Sequence, residues 1–296
     1  MRKQLIATVE ALLAEDERII LLLGDIGVFG FRNAFAKYPR RVFNIGILEQ
    51  SSVGLAAGLA KEGFIPIFHS IAPFVVERAF EQIKIDFGYQ NLGGLFVTVG
   101  ASYDYAALGC THHCPGDVAL MKTVPNMHVI VPGSRHELDQ LCRQSYADGM
   151  PKYLRLSEFS HRHQITPEFG KAVVIRRGSE GTVVVVGPLL DAVVDATAKM
   201  DLTILYYTTV APFDHATLAE NCSTGKVAVV EPFYEGTLAY DIQRSLAGAP
   251  CSILYVGVPR RFLTAYGKAE QHDELCGLTS GQIREKLQSF YATQSN

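Results

Sequence analysis

The 296 residues leave room for one large domain or two of ordinary size. Hydrophobic residues make up 48% and charged residues 19%, enough to bury a sizeable core and too apolar for a disordered chain, collagen or a coiled coil. With 27 Lys and Arg against 30 Asp and Glu, the net charge of −3 leaves no basic footprint for nucleic acid or an anionic membrane.

Met1–Ile6 opens like a secretory signal, but Glu10, Glu15, Asp16 and Glu17 interrupt any apolar run, so a cytoplasmic protein is expected. Charge-free stretches such as Tyr89–Tyr103 contain Gly, Asn, Ser and Thr and predict no membrane span. Short Val-, Ile- and Leu-rich runs at Ile19–Leu23, Val42–Ile45, Ile65–His69, Leu95–Val99, His128–Val131 and Tyr153–Leu156 read as buried strands. Helix-period segments fall near Gln4–Ala14, Glu49–Lys61, Phe74–Phe87, Val118–Lys122 and Ser134–Tyr146. This alternation predicts an α/β fold with a doubly wound parallel sheet, whose ligand site lies at the carboxyl ends of its strands. Those ends carry Gly24-Asp25, Gly46, Gly100 and Pro132-Gly133.

The period lapses over Phe159–Gly170, which places a boundary near residue 165 between a first domain, 1–165, and a second, 166–296. Beyond it, Ala172–Ile175, Thr182–Val186, Leu202–Tyr206, Val227–Val230 and Ile253–Val256 read as strands, with helices at Leu189–Met200, Thr237–Leu246 and Ser280–Tyr291. That is a smaller α/β domain. Six cysteines are too few for a disulfide framework in a chain this long. Cys110-Thr111-His112-His113-Cys114 matches no zinc spacing, so no metal ligation by these side chains is expected.

Phe43-Asn44-Ile45-Gly46-Ile47-Leu48-Glu49-Gln50 carries a strand into a helix through a glycine. Glu49 falls in the first helical turn, where the dipole favours a carboxylate on any surface helix. Here the flanking Ile47 and Leu48 and the following Val53–Ala60 are small or apolar, so the helix should be buried against another backbone. A carboxylate at the mouth of a buried helix is costly unless something binds it.

Gly24-Asp25-Ile26-Gly27, Asn44–Gln50, the run Phe68–Ile83 and Thr111-His112-His113 together resemble the C-terminal half of transketolases, and more narrowly the separately encoded B subunit of split transketolases. The resemblance covers nearly the whole chain; Pro212-Phe213-Asp214 and Val230-Glu231-Pro232 extend it into the C-terminal domain. It implies a pyrimidine-binding domain for thiamine diphosphate. By that likeness Glu49 shares a proton with the aminopyrimidine and so assists deprotonation of the thiazolium. A carboxyl desolvated in an apolar pocket suits such an exchange. Phe74 would stack on the aminopyrimidine, with Ile71 an aliphatic replacement for a second aromatic. Ile26 would lie beside the thiazolium, with Asp25 holding its loop or merely capping a turn. His112 would bond donor ketose oxygens. Arg2 matches an anion-binding arginine, and His69 stands where a small hydroxyl residue is usual, lining the site or lying satisfied in the core.

Several positions depart from the family pattern. Leu108 replaces an aspartate that reads a sugar hydroxyl, and Gly100, Glu158 and Phe29 replace a histidine, an arginine and a serine that clamp phosphate. An unphosphorylated or less hydroxylated acceptor is therefore expected, unless Arg155 or a partner chain rebuilds the clamp. No Gly-Asp-Gly motif occurs; the Gly-Asp pairs are Gly24-Asp25 and Gly116-Asp117. The diphosphate and Mg2+ should then be held mainly by a separately encoded N-terminal-half subunit, in an α2β2 heterotetramer acting on small sugars or aldehydes. Two other readings stand beside this transketolase-like transferase: the beta subunit of a 2-oxo-acid dehydrogenase or decarboxylase, and a non-catalytic assembly half.

Overall fold

The computed structural model describes residues 1–246 and 250–292. In chain order the first half comprises α1 (Arg2–Glu15), β1 (Ile19–Leu23), α2 (Arg32–Lys37), β2 (Val42–Asn44), α3 (Glu49–Lys61), β3 (Ile65–Ile71), α4 (Ala72–Val76), α5 (Phe80–Gln82), a π-helical turn at Ile83–Tyr89, β4 (Gly94–Val99), α6 (Asp117–Met121), β5 (His128–Ile130), α7 (Arg135–Ser145) and β6 (Pro151–Arg155). The second half comprises β7 (Val173–Arg176), β8 (Gly181–Val186), α8 (Leu190–Ala196), β9 (Leu202–Tyr207), β10 (Thr209–Ala211), α9 (His215–Glu220), β11 (Lys226–Tyr234), α10 (Ala239–Ser245), β12 (Ser252–Val258), α11 (Ala269–Cys276) and α12 (Ser280–Ala292). No helix among the described residues is long and apolar enough to cross a membrane.

Among the described residues the strands form a seven-stranded sheet, β10-β5-β6-β4-β3-β1-β2, and a five-stranded sheet, β12-β11-β8-β9-β7. Strands β1 to β6 run parallel. Each residue of β1, β3 and β4 is buried, because helices cover both faces and leave no side for polar residues. Helix α1 buries Leu5, Thr8, Val9, Leu12 and Leu13, a stripe at helical spacing. Helix α7 starts at a capping box between Ser134 and Glu137. A parallel sheet brings the loops that follow β1, β2, β3 and β4 to one edge, and the site is assembled there.

The segment expected as one helix over Phe74–Phe87 is broken. It turns at Glu77–Ala79 and closes in the π-helical turn, which keeps Ile83 and Phe87 in the core while Lys84, Ile85 and Tyr89 face outward. Helix α3 is also not buried all round. Ser52, Val53, Ala56 and Ala57 pack inward, whereas Gly54, Leu55 and Gly58 are exposed beside Ile47 and Leu48. Strand β10 and helices α9 and α11 were not legible: β10 is three residues long, and Ala269–Cys276 has no apolar period.

Residues 156–172 form neither helix nor strand and separate the two sheets along the chain. In space the sheets are joined. One apolar cluster runs from Phe68 and Tyr153 to Val184, Leu205 and Val229, and β10 leaves the second half to pair antiparallel with β5. Arg155 at the end of β6 is 2% exposed and donates to Asp117 Oδ2 (2.6 Å), to Ser102 Oγ (2.7 Å) and to the Pro232 carbonyl in β11 (3.3 Å). Tyr153 adds its hydroxyl to the same Asp117 oxygen at 2.7 Å.

In the second sheet Glu231 is fully buried and accepts the backbone N–H groups of Gly236 and Leu238. Burial pushes its carboxyl up to about 8, against those hydrogen bonds. The folded chain therefore keeps a proton that the unfolded chain releases above about 4.5, so this contribution to stability is lost as pH rises toward 8. In Glu231→Gln the fall of melting temperature between those pH values should be shallower than in wild type, as thermal unfolding monitored by circular dichroism would show.

Candidate active site

Glu49 is the first residue of α3, 2% exposed, and it receives Arg78 Nη1 on Oε2 at 2.7 Å. The break after α4 turns Arg78 to that position, and the guanidinium also lies over the Phe74 ring, 4.3 Å from its centroid. The pocket is thus not purely apolar, as the sequence had suggested. The other oxygen, Glu49 Oε1, is buried without a hydrogen-bond partner. A buried carboxylate oxygen left open costs free energy unless a donor occupies it.

Phe74 meets the His112 imidazole edge-on at 5.3 Å, and His112 Nδ1 lies 3.0 Å from the Thr111 hydroxyl. Tyr105 also meets His112 edge-on at 6.3 Å, and Arg2 lies over the Tyr105 ring at 5.6 Å. Glu49, Arg78, Phe74, His112, Tyr105 and Arg2 thereby form one continuous series of contacts across the carboxyl edge of the sheet. The Tyr105 hydroxyl is buried and unpartnered. Gly100 has φ of +79°, and a Cβ there would lie 2.7 Å from the Tyr105 ring and 3.2 Å from Ile71. The glycine admits this aromatic ring, with buried Ile71 next to it.

The loop after β1 forms the adjoining wall. Asp25 adopts φ of +64° and is held by Asn44: its N–H donates to Asn44 Oδ1 (3.0 Å), and Asn44 Nδ2 donates to Asp25 Oδ1 (3.2 Å). The same Asn44 oxygen receives the Gly46 N–H ahead of Glu49. Asp25, Ile26, Gly27 and Phe29 line an open cleft together with Arg2 and Arg32. Behind it His69 is buried, with Nδ1 2.9 Å from the Val97 carbonyl; burial pulls its pKa down to about 4. Leu108 sits in a short turn, 52% exposed.

Of the residues singled out in sequence, Glu49, Phe74, His112 and Arg2 come together, with Asp25, Ile26, Ile71 and His69 in the adjoining loop and strand. Arg78, Asn44, Tyr105 and Arg32 were not singled out. Arg78 had a legible signal, since an arginine four residues beyond a phenylalanine can reach its ring. Arg155 is buried away from this cleft and already donates through Nε and Nη2 to Asp117, Ser102 and the Pro232 carbonyl. Asp117, from the second Gly-Asp pair, is committed to Arg155 in turn. Cys114 donates to Glu77 Oε1 (3.4 Å), and among the described residues no group of three or more His, Cys, Asp or Glu could hold a metal ion.

Residues 1–163 match the family model described as transketolase, pyrimidine binding domain. The chain belongs to the transketolase family. It is 38% identical over 287 residues to an uncharacterized 33.6 kDa protein in the fasciation locus of Rhodococcoides fascians, covering 96% of this chain and 92% of that protein. It is 30% identical to the B subunit of the apulose-4-phosphate transketolase of Actinobacillus succinogenes, covering 75% of this chain and 76% of that protein. A 1-deoxy-D-xylulose-5-phosphate synthase of Haemophilus influenzae is 28% identical across 88% of this chain, which spans 43% of the synthase. Among solved structures, a split-gene transketolase described as an inactive beta4 tetramer superposes with a TM-score of 0.87 at 26% identity, covering 99% of both chains. The transketolase of Campylobacter jejuni shares the fold, with a TM-score of 0.81 at 14% identity over 97% of this chain and 46% of that one. The chain is a transketolase-like B-type half.

Within this transketolase frame, replacing Arg155 by alanine leaves Asp117 a buried, uncompensated charge, which should cost about 3–5 kcal/mol in denaturant unfolding. Arg2→Ala, at an exposed position, should change stability by only about 0.5 kcal/mol.

Proposed function

We propose that this chain is the B subunit of a two-subunit, thiamine-diphosphate-dependent transketolase-like enzyme that transfers a two-carbon ketol unit from a ketose donor to an aldehyde acceptor. The observation that carries this reading is the unpartnered, buried Glu49 Oε1, joined to the half-buried Phe74 ring through Arg78, which touches both. A carboxyl oxygen at that place fits the ring nitrogen of an aminopyrimidine, and Phe74 fits its face. When bound, the cofactor supplies the carbanion chemistry. Glu49 holds or gives a proton at Oε1 while Arg78 fixes Oε2. His112 bonds the oxygens of the donor ketose, since an imidazole can donate or accept near neutral pH. Ile26 and Ile71 keep water from the reacting centre, and Asp25 with Asn44 sets the loop that carries Ile26.

We further propose that the exposed face made by Ile47, Leu48, Gly54, Leu55 and Gly58 docks a separately encoded diphosphate-binding subunit, which supplies the Mg2+ site. An α2β2 heterotetramer in the cytoplasm, serving carbohydrate metabolism, is the expected assembly. The division of the chain near residue 165 belongs to the same proposal. Exposed Leu108 offers a sugar hydroxyl no partner, the Tyr105 ring takes up the space over Gly100, and an acceptor anion meets only Arg2 and Arg32 on this chain's cleft. The acceptor is therefore proposed to be less hydroxylated than ribose 5-phosphate near its reacting carbon.

Two measurements on the reconstituted complex test this reading. Glu49→Ala should lower kcat by about 10²–10⁴-fold with the melting temperature and assembly retained; a variant keeping more than about a tenth of the rate removes Glu49 from the mechanism. In a panel of acceptors, simple aldehydes should exceed ribose 5-phosphate in kcat/KM. Ribose 5-phosphate ahead by about a hundredfold or more would mark an ordinary sugar-phosphate acceptor site. Release of acyl groups from 2-oxo acids without ketol transfer would instead favour the 2-oxo-acid reading.

A further inference from the structure

His69 is the next-to-last polar residue of β3, at its carboxyl end, 2% exposed, and its ring sits between the sheet and the loop after β1. Its Nδ1 lies 2.9 Å from the carbonyl oxygen of Val97 in the neighbouring strand β4. A carbonyl can only accept, so Nδ1 must carry the hydrogen. The ring has a second nitrogen, and no hydrogen-bond partner for Nε2 occurs among the described residues. Nε2 is also not among the sealed, unpartnered atoms of the interior, so it keeps an outlet. Gly27 packs against this edge of the ring, next to Phe31. The glycine has φ of +85°, and a Cβ there would lie 3.1 Å from His69 Cδ2 and 3.4 Å from Nε2. A larger residue at this position would press on the ring, so the glycine is what lets the loop come this close to Nε2. Gly27 and its neighbour Ile26 line the cleft.

We propose that His69 is a specificity residue: with Nδ1–H tied to the Val97 carbonyl, Nε2 presents a fixed hydrogen-bond acceptor that selects a two-carbon unit carrying a hydroxyl group. This rests on the reading above that places the reacting centre beside Ile26. Ionisation would turn the acceptor into a donor, and burial together with the charge of Arg2 opposes it; the pKa falls to about 4 although the Val97 carbonyl pulls the other way. Nε2 thus stays an acceptor throughout the neutral range. A lone acceptor pairs with an O–H and has nothing to offer a methyl group. A site built to bond a hydroxyl is left with an unpaired polar atom when the analogue lacks it, and such sites discriminate strongly. The pocket is therefore a selector for an α-hydroxy ketone over the corresponding methyl ketone, and it separates ketol transfer from acyl transfer at the level of the donor.

The test uses the complex reconstituted with its diphosphate-binding partner, with hydroxypyruvate and pyruvate as the two donor probes. Wild type should favour hydroxypyruvate by at least tenfold in kcat/KM, with the ratio unchanged between pH 5.5 and 8. His69→Phe should narrow the ratio to threefold or less through loss with hydroxypyruvate alone, whereas His69→Gln, which keeps an acceptor oxygen, should restore part of it. A variant that discriminates like wild type overturns the proposal. Nitrogen-15 spectra of histidine-labelled chain in the same complex give a second readout that needs no turnover and serves if His69→Phe does not fold. His69 should be neutral with hydrogen on Nδ1 down to pH 5, and its Nε2 signal should move with hydroxypyruvate and not with pyruvate. Hydrogen on Nε2, a cationic ring at pH 7, or equal response to both probes contradicts it. Complete loss of ketol transfer in wild type, with these spectral results intact, would count against the proposed reaction and not against the acceptor at Nε2.

Discussion

Everything in the site is arranged around a carboxylate that is buried but only half satisfied. Glu49 needs a partner because it is taken out of water, and Arg78 supplies one on Oε2 at 2.7 Å. Arg78 reaches it only because the chain breaks after Val76 and turns back, and the same guanidinium covers the Phe74 ring. The ion pair therefore fixes both the acid and the aromatic platform. What it leaves open is Oε1, a buried acceptor without a donor, which is costly unless something binds it. His112, Tyr105 and Arg2 extend the arrangement outward from that point.

A fully buried ion pair joins the two sheets. Arg155, Asp117, Ser102 and Pro232 lock the end of β6 to β11 and so hold the second sheet on the first. With its side chain 1% exposed, this arginine serves to hold the two sheets together. The same sheet edge thus holds two arginines with opposite fates. Arg78, 42% exposed in its side chain, faces the cleft edge beside Glu49, and Arg155, at 1%, belongs to the architecture.

Much of this was legible in sequence, for identifiable reasons. Strands such as Ile19–Leu23 and Gly94–Val99 are buried on both faces and read as unbroken apolar runs, and Glu49–Lys61 has a clear helical period bounded by an acid and a lysine. Glu49, Phe74 and His112 were found through the motifs that surround them. Hidden were features that depend on long-range packing. The break at Glu77–Ala79 interrupts a good helical period, and β10 is too short to leave a pattern and joins a sheet on the far side of the proposed boundary. Tyr105 emerges only when Gly100 is seen to make room for its ring. The exposed face of α3 is the reverse case: its composition promised burial, and this chain alone does not cover it.

A chain with the acid and the stacking platform but without a Gly-Asp-Gly motif is, on this account, half of a cofactor site. The most direct measurement is calorimetric titration of thiamine diphosphate with Mg2+ into the isolated chain and into the chain combined with its separately encoded diphosphate-binding partner. The account predicts saturable binding only in the combined sample, and weaker binding there when Glu49 is replaced by alanine. Tight, stoichiometric binding by the isolated chain would contradict it.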